Sequence, residues 1–169
     1  MMSTKSKVAL GILVLALSCS SMSYALTPEE AKTVRKVAAE FLGITPENTF
    51  LLAPEAVNER LQSGAKDFVL VDVRSGKDFQ TGHIPTAINI PYRDIANEQN
   101  LAKLPHDKDI ILYCNSGHES TKVLSILKML GYNAYGMKWG MMAWSVVPST
   151  SATLKAIATG TSGIYPLEK

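Results

Sequence analysis

Asp109-Ile110-Ile111-Leu112-Tyr113-Cys114-Asn115-Ser116-Gly117-His118-Glu119-Ser120 joins an apolar run to a cysteine and the cysteine to a polar turn. Five residues without polar alternation suit a strand covered on both faces, as strands of a parallel sheet are. Beyond the turn, Val123, Leu124, Leu127 and Leu130 recur on one helical face and Gly131 stops the run. The stretch therefore predicts a buried strand, a short loop and a helix beginning near Ser120. In open parallel sheets ligands bind at the carboxyl ends of the strands, where Cys114 stands. Successive loop amides can curl into an anion-binding nest, and the helix adds its positive end. Gly117 lets the loop turn back so that its amides converge on the sulfur. Both features favour a thiolate over a thiol. The plainer alternative is a small buried cysteine that merely ends a strand.

Outward from this unit the chain keeps alternating. Upstream, Phe68-Val69-Leu70-Val71 is a second apolar run, carried to a polar end by Asp72-Val73-Arg74, and Ala87 to Ile90 a third short strand. Between them Ser75 to Thr81 suits a short helix, and Ile95 to Leu104 a weaker one. Thr27-Pro28-Glu29-Glu30 is a helix start, with a capping Thr, a first-turn Pro and acids at the positive helix end. Val34, Val37, Ala38, Phe41 and Leu42 follow at helical spacing up to Gly43. Ala53-Pro54-Glu55 opens a second short helix, carrying Val57 and Leu61 and ended by Gly64. Downstream, Tyr132 to Met137 reads as a strand and Trp139 to Val147 as a final core helix. Residues 148–169 are rich in Ser, Thr and Gly, with a helical turn or two around Leu154 to Ala158. Strands alternating with helices predict an α/β layer fold with a mainly parallel sheet.

The 169 residues hold 17 Lys and Arg against 15 Asp and Glu, with 46% hydrophobic residues and two cysteines. That balance excludes a disordered chain, a disulfide-rich scaffold and an electrostatic case for nucleic-acid binding. Lys5 and Lys7 precede the apolar run Val8 to Leu17, and small residues end in Ser23-Tyr24-Ala25. This reads as a secretory signal peptide over residues 1–25, cut after Ala25, with a periplasmic or extracellular product and no membrane contact after cleavage. The alternatives are an uncleaved anchor, for which ten apolar residues are short, and a lipoprotein modified at Cys19, which lacks the usual Leu three places earlier. Cleavage removes Lys5, Lys7 and Cys19, leaving 15 basic residues against 15 acidic ones and Cys114 as the sole cysteine. A lone thiol in an oxidising compartment is an intermolecular partner, a bystander or a reactive group.

Four motifs now stand in order. They are Asp72-Val73-Arg74; Phe79-x3-His83-Ile84-Pro85-x-Ala87-x2-Ile90; Tyr113-Cys114-x2-Gly117-x2-Ser120; and Gly131-Tyr132-x7-Gly140-x2-Ala143-Trp144. Together they resemble a single-domain rhodanese, a sulfurtransferase, over residues 50–147, flanked by a helical extension at 26–49 and a C-terminal extension at 148–169. The resemblance implies a mainly parallel sheet with helices on both faces. It also implies a catalytic Cys114 cycling through a persulfide cradled by Asn115, Ser116, Gly117, His118, Glu119 and Ser120. No cofactor beyond that covalent persulfide and no metal is implied. The partners would be a small sulfane-sulfur donor with a thiol or cyanide acceptor, or a partner protein's thiol; nucleic acid is not among them. Cys114 through Glu119 make the six-residue loop of sulfur-transferring members. Related phosphatases have one residue more and an Arg where this chain has Ser120.

Several departures bear on substrate. Many active relatives carry Arg or Lys beside the cysteine and before the closing Ser; Asn115 and Glu119 hold those places here. At about 6 Å and an effective dielectric near 20, a carboxylate facing a thiolate is unfavourable by about 3 kcal/mol. Poor use of thiosulfate, a dianion, is the expectation. Thr86 and Trp139 stand where the family has glycine. Trp139 either edges the mouth of the site or fills the core, and the core is the expectation. Asp72 and Arg74 either edge the site, with Arg74 steering an anion, or form a structural ion pair. His83 is read as structural, His118 as a proton carrier or a solvent-facing side chain, and Met129 to Met142 as packing rather than a copper site. Alternatives to the enzyme are a thiol-redox or sulfur-relay partner and a non-catalytic binding module.

Overall fold

The computed structural model describes residues 26–43 and 50–144. Residues 1–25, read from sequence as a signal peptide, residues 44–49 and everything after Trp144, including the expected C-terminal turns, lie outside the described residues. The elements run α1 (Pro28–Leu42), β1 (Leu51–Leu52), α2 (Pro54–Gln62), β2 (Phe68–Asp72), α3 (Gly76–Thr81), β3 (Ile88–Asn89), α4 (Glu98–Leu101), β4 (Asp109–Tyr113), α5 (His118–Met129), β5 (Ala134–Met137) and α6 (Met141–Trp144).

The strands form one sheet in the order β1-β5-β4-β2-β3, and every pair is parallel. β4 is the central strand, pairing β2 from Phe68↔Asp109 to Asp72↔Tyr113. Its Ile110, Ile111, Leu112 and Tyr113 are wholly buried. The two-residue strand period divides them between two cores. Ile110, Leu112 and Cys114 face Val123, Leu124 and Leu127 of α5, while Ile111 and Tyr113 face Val57 of α2 and Met141 of α6. The expected α/β sandwich, with helices on both faces, is the observed one.

Several boundaries differ from the sequence reading. α5 starts at His118, capped by Gly117 at φ 96, so His118 and Glu119 belong to its first turn rather than to the loop. The expected Ile95–Leu104 helix shrinks to Glu98–Leu101. Asp94 and Asn97 amides bond three residues back, and helical pairing begins only where the Asn97 carbonyl accepts from Leu101. β5 starts at Ala134 because the Tyr132 amide still bonds the Leu127 carbonyl at the end of α5. The last helix begins at Met141, since Trp139 and Gly140 take left-handed turns at φ 60 and 52. α1 has the expected capping Thr27, which Glu30 closes into a capping box, but it buries no residue. Val34 and Leu42 remain 46% and 76% exposed, and Phe41 stacks on Phe50, the residue before β1, at 6.1 Å.

Candidate active site

Cys114 follows the last residue of β4, on the α5 side of the sheet. The Gly117 amide donates to its Sγ at 3.1 Å. Gly117 itself is left-handed, a conformation that costs a glycine nothing, and from it the chain enters α5. The Gly117 carbonyl is itself held three ways, by the Ser120 hydroxyl at 3.1 Å, the Thr121 hydroxyl at 2.9 Å and the Thr121 amide at 3.0 Å. Among the described residues Gly117 is the one amide bonded to the sulfur, where the sequence suggested a ring of amides. Cys114 is 1% exposed, so its sulfur lies under the loop rather than open at its surface.

A second support comes from the far end of the domain. The Met141 amide donates to the Cys114 carbonyl at 2.9 Å and the Met142 amide to the Asn115 carbonyl at 3.0 Å. Gly140 permits this approach: a methyl group there would stand 2.2 Å from the Cys114 carbonyl oxygen. Sequence reasoning did not assign Gly140, Met141 or Met142 to the site, although Gly140 sits in the fourth motif and its glycine is the signal. Met137 and Met141 pack in the core, as expected, whereas Met142 does not.

Asp72 and Arg74 form a buried bidentate pair, with Arg74 Nε and Nη2 on the carboxylate at 2.6–3.0 Å. Nη2 also donates to the Gly82 carbonyl at 2.7 Å, and the Asn89 amide side chain bonds the Asp72 and Arg74 carbonyls. Burial alone would lower the Arg74 guanidinium, but the Asp72 bonds and charge outweigh it and raise it above the ordinary arginine range. The pair thus ties the end of β2 to the 82–84 turn and to β3, and Arg74 is turned inward rather than toward an approaching anion. Beside it the Tyr113 hydroxyl accepts from the Ile84 amide at 3.1 Å. Burial, then the Asp72 charge, push this phenol well above the usual tyrosine range.

The rim carries the remaining residues named from sequence. Asn115, Ser116 and Glu119 are half-buried, Ser120 is buried and His118 exposed. Ser116 Oγ and His118 Nδ1 are 2.7 Å apart. Glu119 lies in the first turn of α5, where its charge meets the positive helix end. Trp139 is not a core residue: its side chain is 69% exposed. The reason is its backbone, which turns left-handed beside the loop; a methyl group on Gly117 would stand 3.8 Å from the Trp139 nitrogen. Thr86 is left-handed as well, at φ 69, so both positions where the family carries glycine have a backbone that favours one. His83 stacks on Phe79 at 3.7 Å and its Nδ1 lies 2.9 Å from the Phe79 carbonyl, a structural role.

The family model described as a rhodanese-like domain matches residues 53–146, more than half of the chain. The probable adenylyltransferase/sulfurtransferase MoeZ of Mycobacterium tuberculosis is 35% identical over 95 residues, which are 56% of this chain and 24% of that protein. The chain thus spans about a quarter of that curated relative's length. A sulfurtransferase of Allochromatium vinosum is 30% identical over 92 residues, covering 54% of this chain and 83% of the relative. Among solved structures, a rhodanese-like domain protein from Staphylococcus aureus superposes with a TM-score of 0.52 at 27% identity, over 60% of this chain and 98% of the other. The parallel sheet, the cysteine at the end of its central strand and these matches have one meaning: the chain belongs to the rhodanese-like domain family.

Proposed function

We propose that the protein is a sulfurtransferase that takes sulfane sulfur onto Cys114 as a persulfide and passes it to a thiol. The Gly117 N–H directed at Cys114 Sγ carries this reading, because a donor placed there holds negative charge on sulfur before and after transfer. In the first step the Cys114 thiolate attacks the outer sulfur of a donor R–S–SH. The donor S–S bond breaks, R–S⁻ leaves with the bonding pair, and Cys114–S–SH forms. Its terminal proton passes to R–S⁻, giving R–SH and Cys114–S–S⁻. In the second step an acceptor R′–SH becomes R′–S–S⁻ while Cys114 returns as the thiol. With cyanide as acceptor, Cys114–S–S⁻ and CN⁻ give Cys114–S⁻ and thiocyanate. The Gly117 amide and the positive end of α5 steady the terminal sulfur.

The donor class follows from charge. Asn115 and Glu119 supply no cation, and Arg74 Nε and Nη2 are spent on Asp72 and the Gly82 carbonyl. A dianion such as thiosulfate meets the Glu119 carboxylate and no cation at position 115, whereas a neutral or cationic persulfide, or a protein thiol, meets no such repulsion. The 1% exposure of Cys114 favours a second reading, a non-catalytic binding module. One assay separates them: thiocyanate formation with cyanide as acceptor from cysteamine persulfide, which carries no net negative charge, and from thiosulfate, with Cys114→Ala as control. Turnover with the persulfide well above that with thiosulfate, and only the uncatalysed rate in the control, supports transfer. No Cys114-dependent turnover with either donor supports the module. We place this activity outside the cytoplasm on the strength of Lys5, Lys7, the Val8 to Leu17 run and Ser23-Tyr24-Ala25. N-terminal sequencing of the envelope-fraction protein tests that, with Leu26 as the expected first residue.

A further inference from the structure

We infer that Trp139, with Met142 beside it, forms a docking rim for the sulfur acceptor, and that the acceptor is a cysteine flanked by apolar residues on a peptide or protein surface. This rests on the proposed sulfur transfer and names its acceptor.

Two local costs meet at Trp139. Its φ of 60 belongs to the left-handed region, where a bulky side chain crowds the backbone, and its large apolar surface is 69% exposed to water. Neither is compensated by packing within the described domain. Strain of this kind persists where the surroundings impose it, and it gathers at functional sites. The surroundings here are the Cys114 loop. Trp139 abuts Gly117, Gly140 abuts the Cys114 carbonyl, and the Met142 amide bonds the Asn115 carbonyl. The turn therefore sets Trp139 at the edge of the loop whose amide holds the sulfur, and Met142, 44% exposed, stands three residues on.

An acceptor must reach the outer sulfur of a persulfide, about 2.05 Å beyond Sγ. Cys114 is nearly covered, so the incoming thiol has to be held at the loop to reach it, and the Trp139 turn borders that loop. A free anion gains nothing from Trp and Met. A cysteine whose neighbours are apolar buries them against both residues as its sulfur arrives; tryptophan is among the side chains that most often dominate protein interfaces. The transfer balances as before: the peptide thiol R′–SH takes the outer sulfur to give R′–S–S⁻, and Cys114 is released as the thiol.

The test loads the full chain with glutathione persulfide and offers two reduced single-cysteine hexapeptides, one with Leu and Phe around the cysteine, the other with Ser and Gly. The expected kcat/KM ratio is about tenfold or more in favour of the apolar peptide, falling to about twofold or less in Trp139→Gly and Trp139→Asn and largely kept in Trp139→Phe. Both polar-tolerant variants suit a left-handed backbone, and Trp139→Gly should raise the urea midpoint while losing selectivity. A wild-type ratio near one, or a ratio unmoved by Trp139→Gly, overturns the inference. A parallel fluorescence titration uses the apolar peptide with its cysteine replaced by serine. If Cys114 takes no sulfur yet this peptide binds in a Trp139-dependent way, the rim stands and the proposed chemistry fails. If sulfur is taken but neither arm depends on Trp139, the chemistry stands and the rim fails.

Discussion

Replacing Gly140 by Ala adds one methyl group against the backbone that carries the reactive cysteine. The new Cβ would stand 2.2 Å from the Cys114 carbonyl oxygen, 3.0 Å from its carbon and 3.1 Å from the Asn115 carbonyl carbon. No rotamer relieves a clash between a Cβ and main chain, so the 139–142 turn and the Cys114 loop must separate by about 1 Å to reach ordinary contact. That separation stretches the Met141 and Met142 amide bonds, now 2.9 and 3.0 Å, beyond useful hydrogen-bond length. The φ of +52 adds about 1–2 kcal/mol for a residue with a Cβ, and overpacking a tight site adds about 1–3 kcal/mol, so about 2–5 kcal/mol is expected in all. Urea unfolding at neutral pH reads this as a lower midpoint at constant slope. Sulfur uptake by Cys114 should fall about a hundredfold, the scale on which a displacement near 1 Å acts on reacting groups. Gly131→Ala is the control. Gly131 is also left-handed, at φ +85, but a methyl group there meets nothing within 4 Å, so only the conformational cost of about 1–2 kcal/mol applies. Equal midpoints and equal sulfur uptake for the two variants would refute the reasoning.

Three further outcomes follow from the same geometry. Arg74→Met leaves the Asp72 carboxylate buried without its partner and should cost about 3–5 kcal/mol by urea unfolding, whereas Arg74→Met with Asp72→Leu should recover most of it. Tyr113→Phe removes the acceptor for the Ile84 amide and should cost about 1–2 kcal/mol. Because the folded protein holds the Tyr113 phenol above its ordinary range, that group's contribution is complete below the unfolded tyrosine value of about 10 and fades as pH rises beyond it. An alkaline unfolding series should therefore be flatter in Tyr113→Phe. Glu119→Gln takes a negative charge from the first turn of α5 and should raise kcat/KM for thiosulfate about tenfold relative to cysteamine persulfide, which has no net negative charge; an unchanged ratio would show that Glu119 does not act on donor charge.

What the sequence made legible was set by burial on both faces. Ile110 to Tyr113 could be assigned to a buried strand, and Cys114 to its end, because such a run suits a parallel strand covered on both faces. Thr27 was readable as a cap, with Glu29 and Glu30 at the positive helix end, because these are local interactions between neighbours in the chain. Where the outcome depended on distant backbone, the reading failed. Tryptophan composition favours a core, and nothing local reveals that residues 139 and 140 turn left-handed to receive the Cys114 loop. The same approach explains why Gly140 went unassigned. α1 shows the converse: its spacing is helical, but periodicity does not report how much partner surface awaits the apolar face, and here none of its residues is buried. The structural reading of Asp72 and Arg74 prevailed because two residues of opposite charge, two apart at a strand end, can close on each other and still reach the Gly82 carbonyl.

The account rests on Cys114 accepting sulfur while held by the Gly117 amide, and the mass of the protein tests this most directly. The chain is treated with glutathione persulfide, desalted and measured intact and as peptides. The account predicts a gain of about 32 Da confined to the peptide bearing Cys114, removed by cyanide and absent in Cys114→Ser. An unmodified Cys114 after that treatment, with the protein folded, would contradict it.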